Sequence, residues 1–148
     1  MVGGYDHLRV VPAEDQHANQ LEPRLREADR SEALRGGWPR ALDALLYGVR
    51  NSRSFVVLSY GVPVMICGIS NDASVWALGT DYITEHPKEF MRISKRIFPW
   101  LFAGLPVVWC LMDTLNTVHA SWLSAMGFSH TSTQANGCAV YYLLNTHV

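Results

Sequence analysis

The feature that most constrains this fold is the stretch IFPWLFAGLPVVWCLMD, Ile97 to Asp113, in which no charged side chain precedes Asp113. A membrane-spanning helix needs about 20 mostly apolar residues, and this run is shorter. Pro99 and Pro106 interrupt it, and a proline inside a helix costs about 3 kcal/mol or more. We therefore divide the run. Its first part ends a helix that begins upstream, and VVWCLMD, about 107–113, is predicted to be a buried strand.

Composition favours one globular domain over residues 1–148 and argues against disorder. Apolar residues make up 49% of the chain and charged residues 17%, which is enough apolar surface to build a core. The net charge of −1 gives no electrostatic footprint for nucleic acid. No membrane segment is predicted, and the first 15 residues lack the continuous apolar segment of a secretory signal.

The cysteines and histidines suggest no reactive or metal-binding site. The three cysteines are odd in number, and Cys67 and Cys110 lie in apolar runs that look like strands, so we predict buried structural thiols and a reducing compartment. The histidines show no spacing typical of metal ligands, and we predict no metal site; they are His7, His17, His86, His119, His130 and His147.

The first half of the chain is predicted to change from helical to β-rich. A short amphipathic helix over about 14–30, interrupted near Pro23, is followed by a helix over about 39–50. The run SFVVLSYGVPVMICGIS has the pattern of a hairpin with its turn at Tyr60-Gly61. The polar N-terminal segment, about 1–38, is predicted to be weakly attached to the core and to act as a docking arm.

The second half alternates strands and helices. NDAS is a turn, VWALGTD a third strand, and a helix begins at Thr84 or His86 with Phe90, Ile93 and Ile97 on one face. A helix over about 117–126 ends at Gly127, the C′ residue, the first residue beyond the helix C-cap. Two final strands, FSHTST and AVYYLLN, are separated by a turn at Asn136-Gly137.

This order of elements resembles the GNAT N-acetyltransferase fold, an α+β fold with a central, mixed but mostly antiparallel sheet flanked by helices. VVWCLMDTLNTVHASWLSAMGF is similar to the C-terminal signature of that fold, with matches at Asn116, Ala120, Gly127 and Phe128. More narrowly, the run from Phe55 to Phe128 resembles the GNAT-like proteins of short-tailed phages, the T7-type internal virion protein A family.

The resemblance also shows where a cofactor loop is altered. Acetyltransferases of this fold hold the coenzyme A pyrophosphate on backbone N–H groups at the N-terminus of the central helix, next to a glycine-rich motif. The matching stretch here is GTDYITEHPKEF, Gly79 to Phe90. It has no second glycine, Pro87 lacks an N–H, and Asp81 and Glu85 add negative charge. The resemblance therefore implies no cofactor site, and acetyl-CoA only if the chain is an active enzyme.

We also predict no catalytic residues. The position of the family's usual general-acid tyrosine is Leu123, which cannot donate a proton. Cys110, His119 and Asp113 contain a nucleophile and a base, but Cys110 lies in the middle of a strand, so a catalytic pair is not expected. Asn116 is predicted to cap or order the turn before its helix. Three tryptophans are predicted to be in the core, with a surface anchor as the lesser alternative: Trp100, Trp109 and Trp122.

Three functions stay open at this stage. The leading hypothesis is a non-catalytic virion structural or assembly protein that binds other virion proteins near the portal, neck or tail, in multiple copies. It would be found in the virion, and in the host cytoplasm during assembly. The alternative is an acetyl-CoA-dependent N-acetyltransferase, in which Asp113 or a backbone carbonyl orients the amine. A third is a host-directed inhibitor made early in infection.

Overall fold

The structure, a computed structural model, describes residues 7–134 and 136–145. Its helices are α1 (Asp15–Leu21), α2 (Glu27–Arg35), α3 (Ala41–Asn51), α4 (Tyr82–Glu85), α5 (Pro87–Leu101) and α6 (Thr117–Ala125), with a 3-10 turn at Glu22–Arg24. Its strands are β1 (Leu8–Pro12), β2 (Arg53–Ser59), β3 (Val62–Ile69), β4 (Val75–Gly79), β5 (Val107–Asp113), β6 (Ser129–His130) and β7 (Cys138–Leu144).

The strands form two antiparallel sheets. The larger has the order β1-β2-β3-β4 and the smaller the order β5-β7-β6. A single parallel bridge between Ser74 and Trp109 joins them at the start of β4 and in β5. The predicted α+β class with mostly antiparallel strands is confirmed, and the sheet is divided between β4 and β5.

The β2–β3 hairpin turns where the sequence predicts. Ser59 pairs with Val62, and the two residues between them, Tyr60 and Gly61, both have positive φ angles, 51° and 78°. Two consecutive residues of this kind form the turn whose twist matches that of the flanking strands. The Asn71–Ser74 turn also forms, with Ala73 at a φ of 66°.

Helices cover both faces of the larger sheet, because the side chains of a strand alternate between its faces. Residues of β2 and β3 on one face pack with α5 and α6; this cluster includes Phe55, Val57, Phe98, Leu101 and Trp122. Residues on the other face pack with α1, α2 and α3; this cluster includes Leu21, Ala33, Leu45, Val56 and Ile66.

The N-terminal segment does not behave as a loosely attached arm from residue 7 onward. β1 pairs with β2 along its whole length, and Leu8 and Leu21 are fully buried. The expectation that residues 1–38 are weakly attached to the core is corrected for residues 7–38. Residues 1–6 lie outside the described part of the chain.

The helix boundaries differ from the predicted ones in three places. The predicted break near Pro23 is present, but the second helical piece runs to Arg35 instead of ending near residue 30. α5 continues through Pro99 to Leu101, which is tolerated since the helix ends two residues later and the residue deprived of a bond, Lys95, is exposed. A short helix, α4, precedes α5 and was not predicted.

α6 ends as predicted. Gly127 has a φ of +98°, its N–H donates to the Ser124 carbonyl, and the Phe128 N–H donates to the Leu123 carbonyl. These two bonds define a Schellman motif, and the buried side chains of Leu123 and Phe128 add its usual apolar contact. Strand β5 matches the predicted 107–113, whereas β6 has only two residues and reaches β7 through a longer loop than predicted.

The tryptophans divide between core and surface. Trp122 is 5% exposed, as predicted, and Trp109 is half-buried. Trp100 is 52% exposed at the end of α5, where it packs against the Phe55 ring, so the core prediction is wrong for this residue. Among the described residues, none of the helices is both long and apolar enough to cross a membrane.

Candidate functional site

The division between β4 and β5 creates the candidate site. The backbone N–H of Trp109, in β5, donates to the carbonyl of Ala73, just before β4, at 3.1 Å. This bond joins the two strands. Beyond this point β4 pairs only with β3 and β5 only with β7. The carboxyl ends of two parallel strands therefore part, and helix α2 packs across the opening.

Helix α2 is hydrogen-bonded to the ends of both strands. The Arg26 N–H donates to the Gly79 carbonyl at 2.9 Å, and the Gly79 N–H donates to Asp29 Oδ2 at 2.7 Å. On the other strand, the Asp113 N–H donates to Glu32 Oε2 at 2.9 Å. The side chain of Arg35 pairs with the Asp113 carboxylate. Groups of α2 and its N-cap thus bond to the backbone at the ends of both strands.

Asp29 is the centre of a buried polar cluster. Its side chain is fully buried and accepts from Arg26 Nη1 at 2.6 Å and from Asn116 Nδ2 at 3.0 Å. His119 Nε2 lies 3.2 Å from Asp29 Oδ2, in a geometry that makes no hydrogen bond. On its other side, His119 Nδ1 lies 4.0 Å from Glu32 Oε1. The cluster joins α2 to the start of α6 by contacts between residues more than 80 positions apart.

The pKa values of Asp29 and Glu32, two of the carboxylates of α2, are shifted in opposite directions. Burial acts to raise the pKa of Asp29, but the favourable contacts from His119, the Gly79 N–H and Arg26 outweigh it, and the pKa lies below its ordinary value. Burial raises the pKa of Glu32 above its ordinary value, because its contacts with His119, the Asp113 N–H and Asn116 compensate less. Glu32 is therefore the more costly of the two carboxylates to keep charged.

A cavity of about 330 Å³ opens beside this cluster. It lies between α2 and α3 on one side and β4 and β5 on the other, and Glu32 and His119 line it. Its aromatic lining residues are Trp38, Tyr47, Trp76 and Trp122. Gly48 lets the Trp76 ring lie against α3, since a Cβ there would be 2.5 Å from the ring. The cavity thus combines apolar walls with one carboxylate.

The loop that would hold a coenzyme A pyrophosphate does not fit that group. The backbone N–H groups of residues 82–86 all donate inside the loop, because α4 forms there; their acceptors are Thr80 Oγ1 and the carbonyls of Thr80, Asp81 and Tyr82. An anion at this position would find these donors already used. The loss of the second glycine in the sequence is accompanied by a helical turn that removes the donors.

The start of α5 carries its own negative charge. Glu89, in the first turn, accepts a hydrogen bond from the Tyr82 hydroxyl and lies near His7. The Tyr82 hydrogen bond, followed by the contacts with His7 and His86, lowers the pKa of Glu89, so this carboxylate stays ionised near neutral pH. Pro87 supplies no N–H at the same helix end. A pyrophosphate here would be repelled by the Glu89 carboxylate.

The candidate residues from the sequence differ in burial and in the contacts that they make. Leu123, at the position of the family's usual general-acid tyrosine, is buried in the core. Burial raises the pKa of the Cys67 and Cys110 thiols to about 12, so both are inert, and Cys138 is half-buried. Asn116 stands at the N-cap of α6 but makes no capping bond with its side chain. The prediction of a side-chain cap is corrected, because the amide instead donates to Asp29. The alternative, that Asn116 orders the turn before α6, agrees with its N–H bond to the Asp113 carbonyl.

Sequence reasoning missed the α2 half of the site. Arg26, Asp29 and Glu32 lie in the segment 1–38, which the sequence predicts to be polar and weakly attached to the core. Their spacing of three places them along one side of a helix, which was the available signal. Nothing local in the sequence shows that this side faces Asn116 and His119. Across the described residues, the structure contains no group of His, Cys, Asp and Glu suited to a metal ion, and the predicted absence of a metal stays a prediction.

Comparison with known proteins gives a fold. No protein-family model matches the chain, and no curated protein matches its sequence. Solved structures do match. An acetyltransferase from Agrobacterium tumefaciens is 12% identical with a TM-score of 0.70, and the match covers 95% of this chain and 92% of that one.

Two further matches agree with it. A GNAT-family acetyltransferase from Streptococcus pneumoniae is 13% identical with a TM-score of 0.65, over 93% of this chain and 99% of that one. The ribosomal-protein-S18-alanine N-acetyltransferase from Escherichia coli is 12% identical with a TM-score of 0.65, over 93% of both chains. None of these comparisons supports the narrower resemblance to phage proteins. At these identities the likeness concerns architecture alone, and the chain has the GNAT acetyltransferase fold.

Proposed function

We propose that this chain is a GNAT-fold protein without acetyl-CoA chemistry, and that it works by binding other proteins. One observation carries the proposal: the backbone N–H groups of residues 82–86 are used within α4, in the loop where this fold would hold a pyrophosphate. The same stretch, Gly79 to Phe90, contains the carboxylates of Asp81, Glu85 and Glu89. A binding protein with this fold needs neither the donors nor the missing acid.

The partners we propose are virion proteins near the portal, neck or tail, with several copies of the chain in the assembly. This part rests on the resemblance of Phe55–Phe128 to GNAT-like proteins of short-tailed phages. The test is quantitative mass spectrometry of purified particles and of assembly intermediates. We expect the chain in both, at a fixed ratio to the portal protein. Its absence from particles and intermediates would overturn the virion role.

The second candidate is an acetyl-CoA-dependent N-acetyltransferase. The comparisons favour it over the virion role, since the matched structures described above are acetyltransferases. The cavity beside Glu32 and His119 also offers a carboxylate and an imidazole near the opening between β4 and β5. Two observations argue against this candidate: the backbone N–H groups of residues 82–86 are already used within α4, and Leu123 occupies the position of the usual general-acid tyrosine.

A thiol-release assay separates the two candidates. The chain is incubated with acetyl-CoA and a panel of amines that includes peptides with free N-termini and lysine side chains, and free coenzyme A is measured. We expect a rate equal to that of the Glu32→Gln variant and of buffer. Release above buffer that is lost in Glu32→Gln would favour the enzyme.

A further inference from the structure

The exposed side of helix α5 carries a row of positive charges, which we call the basic stripe. Its four residues fall within about 100° of one another around the helix axis; they are Lys88, Arg92, Lys95 and Arg96. All four are exposed, and a rise of about 1.5 Å per residue makes the stripe about 12 Å long. The one carboxylate of α5, Glu89, accepts from the Tyr82 hydroxyl and lies near His7.

The basic stripe differs from the arginines on the other face of the larger sheet. Those arginines belong to α2, α3 and their N-caps, and each pairs with a carboxylate of this chain; they are Arg26, Arg30, Arg35, Arg40 and Arg50. Lys88, Lys95 and Arg96 have no such carboxylate partner among the described residues. These three charges are therefore open to carboxylates from outside the chain.

The stripe does not stabilise the helix that carries it. Like charges three or four positions apart on a helix repel one another, and Arg92 has another cation of the stripe four positions before it and four positions after it. Lys88 lies in the first turn, where the helix dipole disfavours a cation. The electrostatics of α5 itself therefore do not account for the stripe, whereas carboxylates of a partner would offset both effects.

An aromatic side chain stands at the C-terminal end of the stripe. Trp100, about 6 Å beyond Arg96 along the helix axis, is 52% exposed, and its ring centroid lies 4.4 Å from that of Phe55. The Arg53 guanidinium lies 5.3 Å from the centre of the Trp100 ring, which is a cation–π distance. An exposed tryptophan held in this way loses little conformational entropy on binding and suits the centre of a protein interface.

The charge of the rest of the chain limits what can occupy the stripe. The whole chain has a net charge of −1, so the residues outside the four cations have a net charge of −5. Nucleic acids and anionic membranes are extended, and their phosphates would also face this negative remainder. A short acidic peptide segment can contact the stripe alone. Charge complementarity and the exposed tryptophan therefore favour an acidic segment of a protein.

We propose that the basic stripe and Trp100 form a docking surface for an acidic segment of a partner protein. Carboxylates spread over about 12 Å of the segment pair with the stripe, and an apolar side chain at one end packs on Trp100. This inference rests on the proposed protein-binding function and identifies its surface and the chemistry of the partner. The surface lies on the face of the larger sheet opposite α2 and α3.

The experiment is a selection from a yeast-displayed library of random dodecapeptides against the full chain at low salt. Selected peptides are synthesised with a fluorophore, and their binding is measured by anisotropy. We expect them to contain about three carboxylates or more together with an apolar residue, and to bind more weakly as salt is added. Trp100→Ala should weaken their binding about fivefold.

Two triple variants with the same net charge test the location. Replacing Lys88, Lys95 and Arg96 by glutamine should weaken binding about tenfold or more, since three charge pairs are lost. The matched control replaces three exposed arginines outside the stripe by glutamine and should bind as wild type does; these are Arg9, Arg40 and Arg50. Equal losses in the two triple variants would show that only the overall charge of the chain matters, and would overturn the inference.

The indole N–H signals of the wild-type chain give a readout that needs no variant. In a ¹⁵N–¹H spectrum, a bound peptide should shift the signal of Trp100 and leave that of Trp122, which is buried and donates to Ser94. A selection without acidic binders or an unmoved Trp100 signal would each overturn the inference. Tighter, stripe-dependent binding of a DNA duplex or of phosphatidylserine vesicles would overturn it as well, since the occupant would then be of another class.

Failure of this inference is distinguishable from failure of the proposed function. If the selection gives no acidic binders but the chain is found in particles, the proposed function stands and the partner docks elsewhere. Binding of acetyl-CoA, in contrast, would remove the proposed function itself.

Discussion

The carboxylate of Asp29 accepts the backbone N–H of Gly79 at 2.7 Å, although 50 residues separate them in sequence. This bond ties α2 to the last residue of β4, and the Arg26 N–H completes the link by donating to the Gly79 carbonyl. Both backbone groups of Gly79, at the end of β4, are therefore hydrogen-bonded to α2 or its N-cap.

Removing the charge of Asp29 should be strongly destabilising. Asp29→Asn leaves the buried Arg26 guanidinium without its anion, and breaking a buried pair on one side costs about 3–5 kcal/mol. The free energy of unfolding, measured in urea, should fall by about this amount. The control is Asp43→Asn, which breaks the exposed pair with Arg40 and should cost no more than about 1 kcal/mol. Equal losses in the two variants would show that the Asp29 cluster is not a stabilising network.

The cost of Asp29→Asn should depend on pH. The pKa of Asp29 is lowered from 3.8 in the folded chain. Its contribution to stability is therefore complete above the unfolded value and is lost as the pH falls through the lower folded value. The difference between wild type and Asp29→Asn should be larger at pH 5 than at pH 3 and should shrink as the pH falls below about 4. A difference that grows on acidification would contradict the assignment.

Glu32→Gln should have the opposite effect on stability. Burial raises the pKa of Glu32 above 4.5, so its stabilising contribution is complete below the unfolded value and is lost as the pH rises through the folded one. Glutamine keeps an acceptor for the Asp113 N–H without the buried charge. The variant should melt at a higher temperature than wild type at pH 7.5, and this gain should vanish near pH 4. A lower melting temperature at pH 7.5 would mean that Glu32 is already compensated by a cation.

Gly127→Val should destabilise the fold without affecting any binding site. Gly127 has a φ of +98°, where a β-branched side chain is strained by about 1–2 kcal/mol or more. A Cβ there would be 3.6 Å from Leu143, which is ordinary contact, so the backbone rather than crowding sets the cost. Gly127→Asn is the matched control, because asparagine tolerates this conformation and should lose less. An unchanged melting temperature in the valine variant would show that α6 does not need this cap.

The parts of the fold that the sequence predicts are those with local causes. The turn at Tyr60-Gly61, the end of α6 at Gly127 and the strand after Pro106 each follow from residues within a few positions of one another. The site is different, since Asp29 meets Asn116 and Gly79 only through tertiary packing, and a polar residue on a helix more often faces water. Helix α4 was not predicted, because its four residues are too few to show a helical repeat that would distinguish them from a turn.

The altered loop, in contrast, was recognisable from sequence, although the mechanism was only partly so. The missing glycine, Pro87 and the added carboxylates of Asp81 and Glu85 all indicate poor pyrophosphate binding. That α4 uses the backbone donors of residues 82–86 required the structure. Trp100 was predicted to be a core residue because it lies in an apolar run. Its position on the helix after Pro99 instead leaves the ring 52% exposed, packed against Phe55.

Calorimetric titration of the chain with acetyl-CoA tests the central claim most directly. The backbone donors of residues 82–86 are used within α4, and Glu89 is ionised at the start of α5. We therefore expect no heat of binding at ligand concentrations up to the millimolar range, where a dissociation constant of about 1 mM would correspond to a binding free energy of about −4 kcal/mol. Inorganic pyrophosphate, titrated in parallel, should also give none. A micromolar dissociation constant for acetyl-CoA, about −8 kcal/mol, would contradict the claim and establish a cofactor site.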